Sequence, residues 1–188
     1  MHRDVVWKWI QCPRLEHLSL DLGADEITAD GVAVADFGAG PIRLHYTVWC
    51  DGAWRVRRAA MTADHDGTRR GVELARDAHG AWTVDGAKRP DLDGCTDTDI
   101  MITPFTNTLP IRNLGLSPDA PRQIRVVYVK LPELTLNATN QEYTRLDSAA
   151  PPQRFRYRNL DTGFIADLAV DVDGLVVDYP DIWRRRGR

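Results

Sequence analysis

The sequence predicts an all-β, mostly antiparallel fold: a single strongly curved sheet forming a β-roll or half-barrel. Three observations carry that prediction. Apolar residues recur with a period of two over most of the chain, tight-turn dipeptides separate the alternating runs, and no stretch of roughly ten or more residues keeps a helical period. Roughly eleven short strands follow from these signals, and that many strands in one sheet must curl, close or split into two layers. A rolled sheet of this width leaves an interior that the wall side chains do not fill.

The elements follow in order. Val5, Trp7 and Trp9 alternate with Val6 and Lys8, and His17 to Leu22 alternates in the same way. The run from Ile27 to Val34 contains Asp30-Gly31 in its middle, which predicts a bulge or a tight bend there. Ile42, Leu44, Tyr46 and Val48 share one face; Asp51-Gly52 then signals a hairpin, and alternation resumes at Trp54. Val72 and Leu74 belong to the next strand, and Trp82 and Val84 form a short one closed by Asp85-Gly86. Ile124 to Val129 is a longer apolar run, suited to a strand covered on both faces. Leu134-Thr135-Leu136 and Glu142-Tyr143-Thr144 follow, Pro151-Pro152 breaks the chain, and Phe155 and Tyr157 alternate with arginines. Phe164, Ala166, Leu168 and Val170 lead to a second hairpin signal at Asp173-Gly174.

One stretch, residues 92–114, has neither period. Pro104 and Pro110 bracket Thr106-Asn107-Thr108; the prolines withdraw backbone donors, and the polar triplet supplies side-chain hydrogen bonds to groups that no ladder would satisfy. An irregular segment around 95–114 is thus predicted to plug or cover the roll.

The length of 188 residues fits a single domain over 1–188, and a net charge of -3 argues against a dedicated nucleic-acid binder. Of the 24 basic residues 21 are arginine, many of them the outward members of strands, and 184–188 reads as a disordered basic tail. The three cysteines, Cys12, Cys50 and Cys95, are widely spaced and predict neither a disulfide framework nor a zinc site. The start of the chain carries charge inside its apolar run, so no secretory signal is expected, and nothing approaches the about eighteen apolar residues of a membrane helix. A cytoplasmic location follows as the default.

Asp93, Asp97 and Asp99 flank Cys95 closely. As hard oxygen ligands they would suit calcium or magnesium, but the glycine and closing glutamate of a calcium loop are missing, and no metal is predicted. Capping of a short turn, or pairing with Arg112, is the expected role of these aspartates. No local signature joins Cys95 to His17, His45, His65 or His79 as a nucleophile–base pair, and no phosphate loop, nucleophile elbow or dinucleotide fingerprint is present. No cofactor is expected. The six tryptophans and the strand tyrosines fit core packing, or ring faces set against the sugar or acyl part of an amphiphile.

The segment Leu92-Asp93-Gly94-Cys95-Thr96-Asp97-Thr98-Asp99, followed by Thr103-Pro104-Phe105-Thr106-Asn107-Thr108-Leu109-Pro110-Ile111-Arg112, resembles the signature of the bacterial glycolipid-binding family. Tyr128, Gln141-x-Tyr143-Thr144, Phe155-Arg156-Tyr157, Phe164, Asp173-Gly174-Leu175-Val176 and Tyr179-Pro180 extend the resemblance over most of the chain; Asn113 departs from it, standing where a second basic residue is expected. The resemblance implies a rolled sheet similar in shape to bacterial lipoprotein carriers, holding a glycolipid or other amphiphile in its interior. On that reading Thr103, Thr106, Asn107, Thr108 and Arg112 supply polar contacts, and Tyr46, Trp54, Tyr128 and Tyr157 supply ring faces. Asp93, Cys95, Asp97 and Asp99 form a structural or polar group beside them. Two alternatives stay open: an enzyme of unknown class using the Asp97 and Asp99 region, and a filled roll with a structural or protein-interaction role. Ligand identity and oligomeric state are not legible.

Overall fold

The computed structural model describes residues 1–11, 14–146 and 152–187; Cys12 and Pro151 lie outside them. Among the described residues fifteen strands form one open sheet. The first eight are β1 (His2–Trp9), β2 (Leu15–Leu22), β3 (Glu26–Asp36), β4 (Pro41–Asp51), β5 (Val56–His65), β6 (Thr68–Arg76), β7 (Trp82–Val84) and β8 (Ala87–Lys88). They make an up-and-down meander. The others are β9 (Cys95–Ile100), β10 (Arg122–Lys130), β11 (Thr135–Arg145), β12 (Gln153–Asn159), β13 (Ile165–Val170), β14 (Val176–Tyr179) and β15 (Trp183–Arg186). From β10 to β15 a second antiparallel meander runs, and β1 pairs with β15 to join the two into one surface. Among the described strands β9 and β10 pair in parallel.

Alternation fixes the inner face. In β4, Ile42, Leu44, Tyr46, Val48 and Cys50 are buried while the residues between them are exposed or half-buried. Curvature then brings β9, at one edge, back towards the opposite edge, and the indole of Trp82 donates to the Cys95 carbonyl oxygen at 2.9 Å. The space this encloses is filled. Residues 101–114 turn inward through a 3-10 turn (Phe105–Asn107) and the six-residue helix α1 (Thr108–Asn113), and Ile102, Phe105 and Leu109 are wholly buried.

Three expectations are corrected. Residues 95–100, placed in the irregular plug, form strand β9, so the plug proper is 101–114. Their polar Cys-Thr-Asp-Thr-Asp run hides a strand whose inward positions are carboxylates. Asp30-Gly31 makes neither bulge nor bend: β3 runs straight through it in unbroken register with β4, and Gly31 faces Tyr46. The basic tail is ordered through Arg186, because β15 pairs with both β1 and β14, and acids receive its charges: Arg184 donates to Asp178 at 3.0 Å and Arg185 to Asp171 at 2.5 Å.

Candidate functional site

A cleft of about 400 Å³ opens at one mouth of the roll, beside the plug. Strand register builds one wall. Asp99 of β9 stands opposite Tyr128 of β10, which stands opposite Asn137 of β11, so the three form a transverse row. Tyr157 and Asn159 of β12 continue that wall, and Asp161, Thr162 and Phe164 come from the turn that follows. The facing wall is Tyr179 of β14, Ile182, Trp183 of β15 and Trp9 of β1. Thr103 and Asn107 of the plug form the floor.

Aromatic rings run through the site in two groups. Tyr143, Tyr157, Phe164 and Tyr179 form a train with centroid separations of 5.3, 6.1 and 6.4 Å. Trp9 and Trp183, partners across β1 and β15, meet edge to face at 5.1 Å. Amphipathic rings of this kind offer flat apolar faces with polar edges, the usual lining of a small-ligand site.

Asp99 sits among these rings. Its Oδ1 accepts from Thr106 Oγ1 at 3.0 Å and its Oδ2 from Gln141 Nε2 at 2.6 Å. Burial pushes its carboxyl up from the usual carboxylate range, against the pull of the Gln141 and Thr106 hydrogen bonds. Burial likewise raises the Tyr128 hydroxyl to about 12 and those of Tyr143, Tyr157 and Tyr179 as well, and the Asp99 charge adds to the shift in all four. Asp97 points elsewhere. It is fully buried, accepting from Thr96 Oγ1 at 2.9 Å and Asn113 Nδ2 at 2.7 Å, and burial raises its carboxyl to about 6.

Of the residues singled out from sequence, Thr103, Asn107, Tyr128 and Tyr157 line the cleft, with Asp99. The rest lie apart. Thr106 is buried under Asp99, bonding that carboxylate and the Ile100 amide, and Thr108 is buried with its hydroxyl unpartnered. Tyr46 and Trp54 are core residues. Arg112 lies in a separate groove, donating to the Val172 carbonyl oxygen at 3.4 Å with its guanidinium 5.4 Å from the Trp54 ring. Asp93 is exposed and contributes its carbonyl oxygen to Arg125. Cys95 is buried, which pushes its thiol up to about 11 and keeps it protonated. Among the described residues amides and hydroxyls, and neither an Arg112 pair nor a helix cap, hold Asp97 and Asp99, and Asn113, the departure from the family pattern, is itself a partner of Asp97. Among the described residues no cluster of histidine, cysteine and carboxylate has the geometry of a metal site.

The sequence pattern of the family described as "Putative glycolipid-binding" matches residues 4–185, a span that includes the plug and the whole cleft lining. The chain belongs to the glycolipid-binding family. It is also similar to a DUF1089 family protein from Pseudomonas aeruginosa known from a 1.80 Å crystal structure, with 36% sequence identity, a TM-score of 0.79, and coverage of 91% of this chain and 92% of that one. No match was found among curated proteins. No helix among the described residues is long and apolar enough to cross a membrane.

In this member of the glycolipid-binding family, the cleft floor is tied to the sheet by a group that sequence reasoning passed over. Thr103 Oγ1 donates to Glu16 Oε1 at 2.6 Å, and the Tyr46 hydroxyl donates to the same oxygen at 2.5 Å. Glu16 is wholly buried and its Oε2 has no partner, so burial raises its carboxyl to about 8, against the two hydrogen bonds. The signal was in the sequence: Glu16 is in phase with Leu18 and Leu20 on the inward face of β2. Trp9 and Trp183 were legible only as two of six tryptophans, and Phe164 and Tyr179 not as lining, because their convergence depends on the curl of the sheet.

The Asp97 contact gives a direct test of how the plug is held. Asn113→Ala removes one of two donors to a fully buried carboxylate and is expected to cost about 2 kcal/mol, the penalty of an unsatisfied buried acceptor. Urea unfolding measures it; a loss no larger than that of a surface alanine would mean that water replaces the amide.

Proposed function

We propose that the protein binds a glycolipid or similar amphiphile, with the head group in the cleft at the mouth of the roll and not in the roll's interior. The observation that supports this reading is the pairing, in one cleft of about 400 Å³, of a run of aromatic rings with amides, hydroxyls and a carboxylate. Sugars present this complement, an apolar ring face and a rim of hydroxyls, and the volume is that of a small-ligand site. The plug fills the interior with Phe105, Ile102 and Leu109, so an acyl chain would leave along the cleft mouth, where Phe164 is 42% exposed.

Native mass spectrometry of protein purified from its own lysate, and after incubation with a lipid extract, is expected to show a bound amphiphile; absence of one in both would remove the reading. Phe164→Ala truncates an exposed ring of the lining. It is expected to weaken uptake about tenfold, the worth of one aromatic contact, with the unfolding midpoint nearly unchanged.

A further inference from the structure

The charges around the cleft select among head groups. The chain carries 21 arginines, yet among the described residues none lines the cleft. Those on β12 turn to the outer face, where Arg156 forks onto Asp167 at 2.8 and 2.9 Å and Arg158 meets Glu142 at 3.0 Å, while Arg3 of β1 and Arg185 of β15 are both taken by Asp171. The lining instead holds two carboxylates, Asp99 and Asp161, against the exposed Lys130. Asp161 is fixed by the Asn140 amide and side chain at 2.9 and 3.0 Å, which hold it ionised. Asp99 has neutral donors only, one to each oxygen, and among the described residues no cation pairs with it. An anionic head, such as a phosphate or sulfate, would meet two carboxylates and no arginine fork. A cation would meet a carboxylate with acceptor capacity to spare and the faces of Tyr128, Tyr157 and Tyr179, the chemistry that recognises ammonium groups.

We infer that the head group taken by this cleft carries a protonated amine, as on an amino sugar, with its ammonium held between Asp99 and the tyrosine rings. The inference rests on the proposed amphiphile-binding reading and narrows it. A buried carboxylate that lacks a counter-ion is costly by itself, and the ligand's ammonium supplies what the protein's own basic residues do not. The Thr106 and Gln141 hydrogen bonds then act to aim Asp99 and not to neutralise it.

Three octyl glycosides below their micellar concentrations test this: glucoside, 2-amino-2-deoxyglucoside and its N-acetyl form, titrated against wild type and Asp99→Asn with calorimetry. The free amine is expected to bind wild type about tenfold or more tighter than the other two, and in Asp99→Asn the ratio of amine to glucoside affinity is expected to fall to about one. Circular dichroism and a urea unfolding transition like the wild type's show that the variant is folded. Octylammonium, included as a fourth ligand, separates an amine read alone from one read on a sugar: tight binding lost in Asp99→Asn supports the ammonium site and assigns the head to a simpler amine. Equal affinities for the three glycosides in wild type, or an amine preference that survives in Asp99→Asn, would overturn the inference while leaving amphiphile binding in place. Failure of every ligand to bind would remove both.

Discussion

Gly31→Ala is expected to destabilise the protein by about 3 kcal/mol, the upper range for forcing an added methyl into a packed core. Gly31 lies in mid-strand, directly across from Tyr46 on the neighbouring strand, and the Tyr46 ring lies over it. A Cβ at Gly31 would overlap that ring at Cζ, Cε1 and Oη. The ring has nowhere to go: it is wholly buried, stacked on Phe105 with centroids 6.3 Å apart, and its hydroxyl is bound to Glu16. Displacing it breaks the contact that ties the plug to the sheet, so hydrogen exchange in 101–114 should accelerate more than in the second meander, β10 to β15. Gly71→Ala in β6 is the control. Its Cβ would meet only the Met61 carbonyl oxygen at 3.7 Å, an ordinary contact, and its cost should stay within about 0.5 kcal/mol. Equal effects of the two substitutions in urea unfolding would mean that Tyr46 repacks freely.

Gly31 also shows why part of the fold was illegible. Asp-Gly inside an alternating run is a turn signal by local chemistry, and here the glycine answers instead to a ring on the next strand. Alternation in β2 to β5 was legible because one face is apolar and the other polar, as a sheet wrapped around a core requires. In β9 that contrast fails: the buried positions include Asp97 and Thr98, whose partners Asn113 and Val127 are distant in sequence, and pairing with β10 is parallel. Arg184 and Arg185 resembled a solvated end because Asp178 and Asp171, which receive them, are adjacent only once β15 has paired. The cleft divides along the same line. Tyr128 and Tyr157 could be placed on an inward face by strand phase, whereas Trp9, Tyr179 and Trp183 join them only through curvature.

Between about pH 5 and about pH 8, Glu16→Gln is expected to become progressively more stable than wild type. The Glu16 carboxyl moves from its ordinary 4.5 to about 8 in the folded protein, driven by burial. Below 4.5 both states hold the proton and its contribution is fully present; between 4.5 and about 8 only the native state holds it, so unfolding releases a proton and stability falls as pH rises. The slope approaches about 1.4 kcal/mol per pH unit, and the whole window amounts to a loss on the order of 5 kcal/mol. Glutamine keeps an oxygen for Tyr46 and Thr103 to donate to, fills the same volume and does not titrate, so its curve lacks this fall. Other groups with shifted values do not blur the comparison. Asp97, raised to about 6, and His2, exposed and raised by Asp21 and Asp4, are common to both proteins and cancel in the difference. Urea unfolding of the pair across this range measures the gap, and parallel curves would show that water reaches Glu16 and keeps it ionised. A widening gap has a structural consequence. The proton on Glu16 then lets its carboxyl stay buried at the place where Thr103 of the cleft floor donates to it.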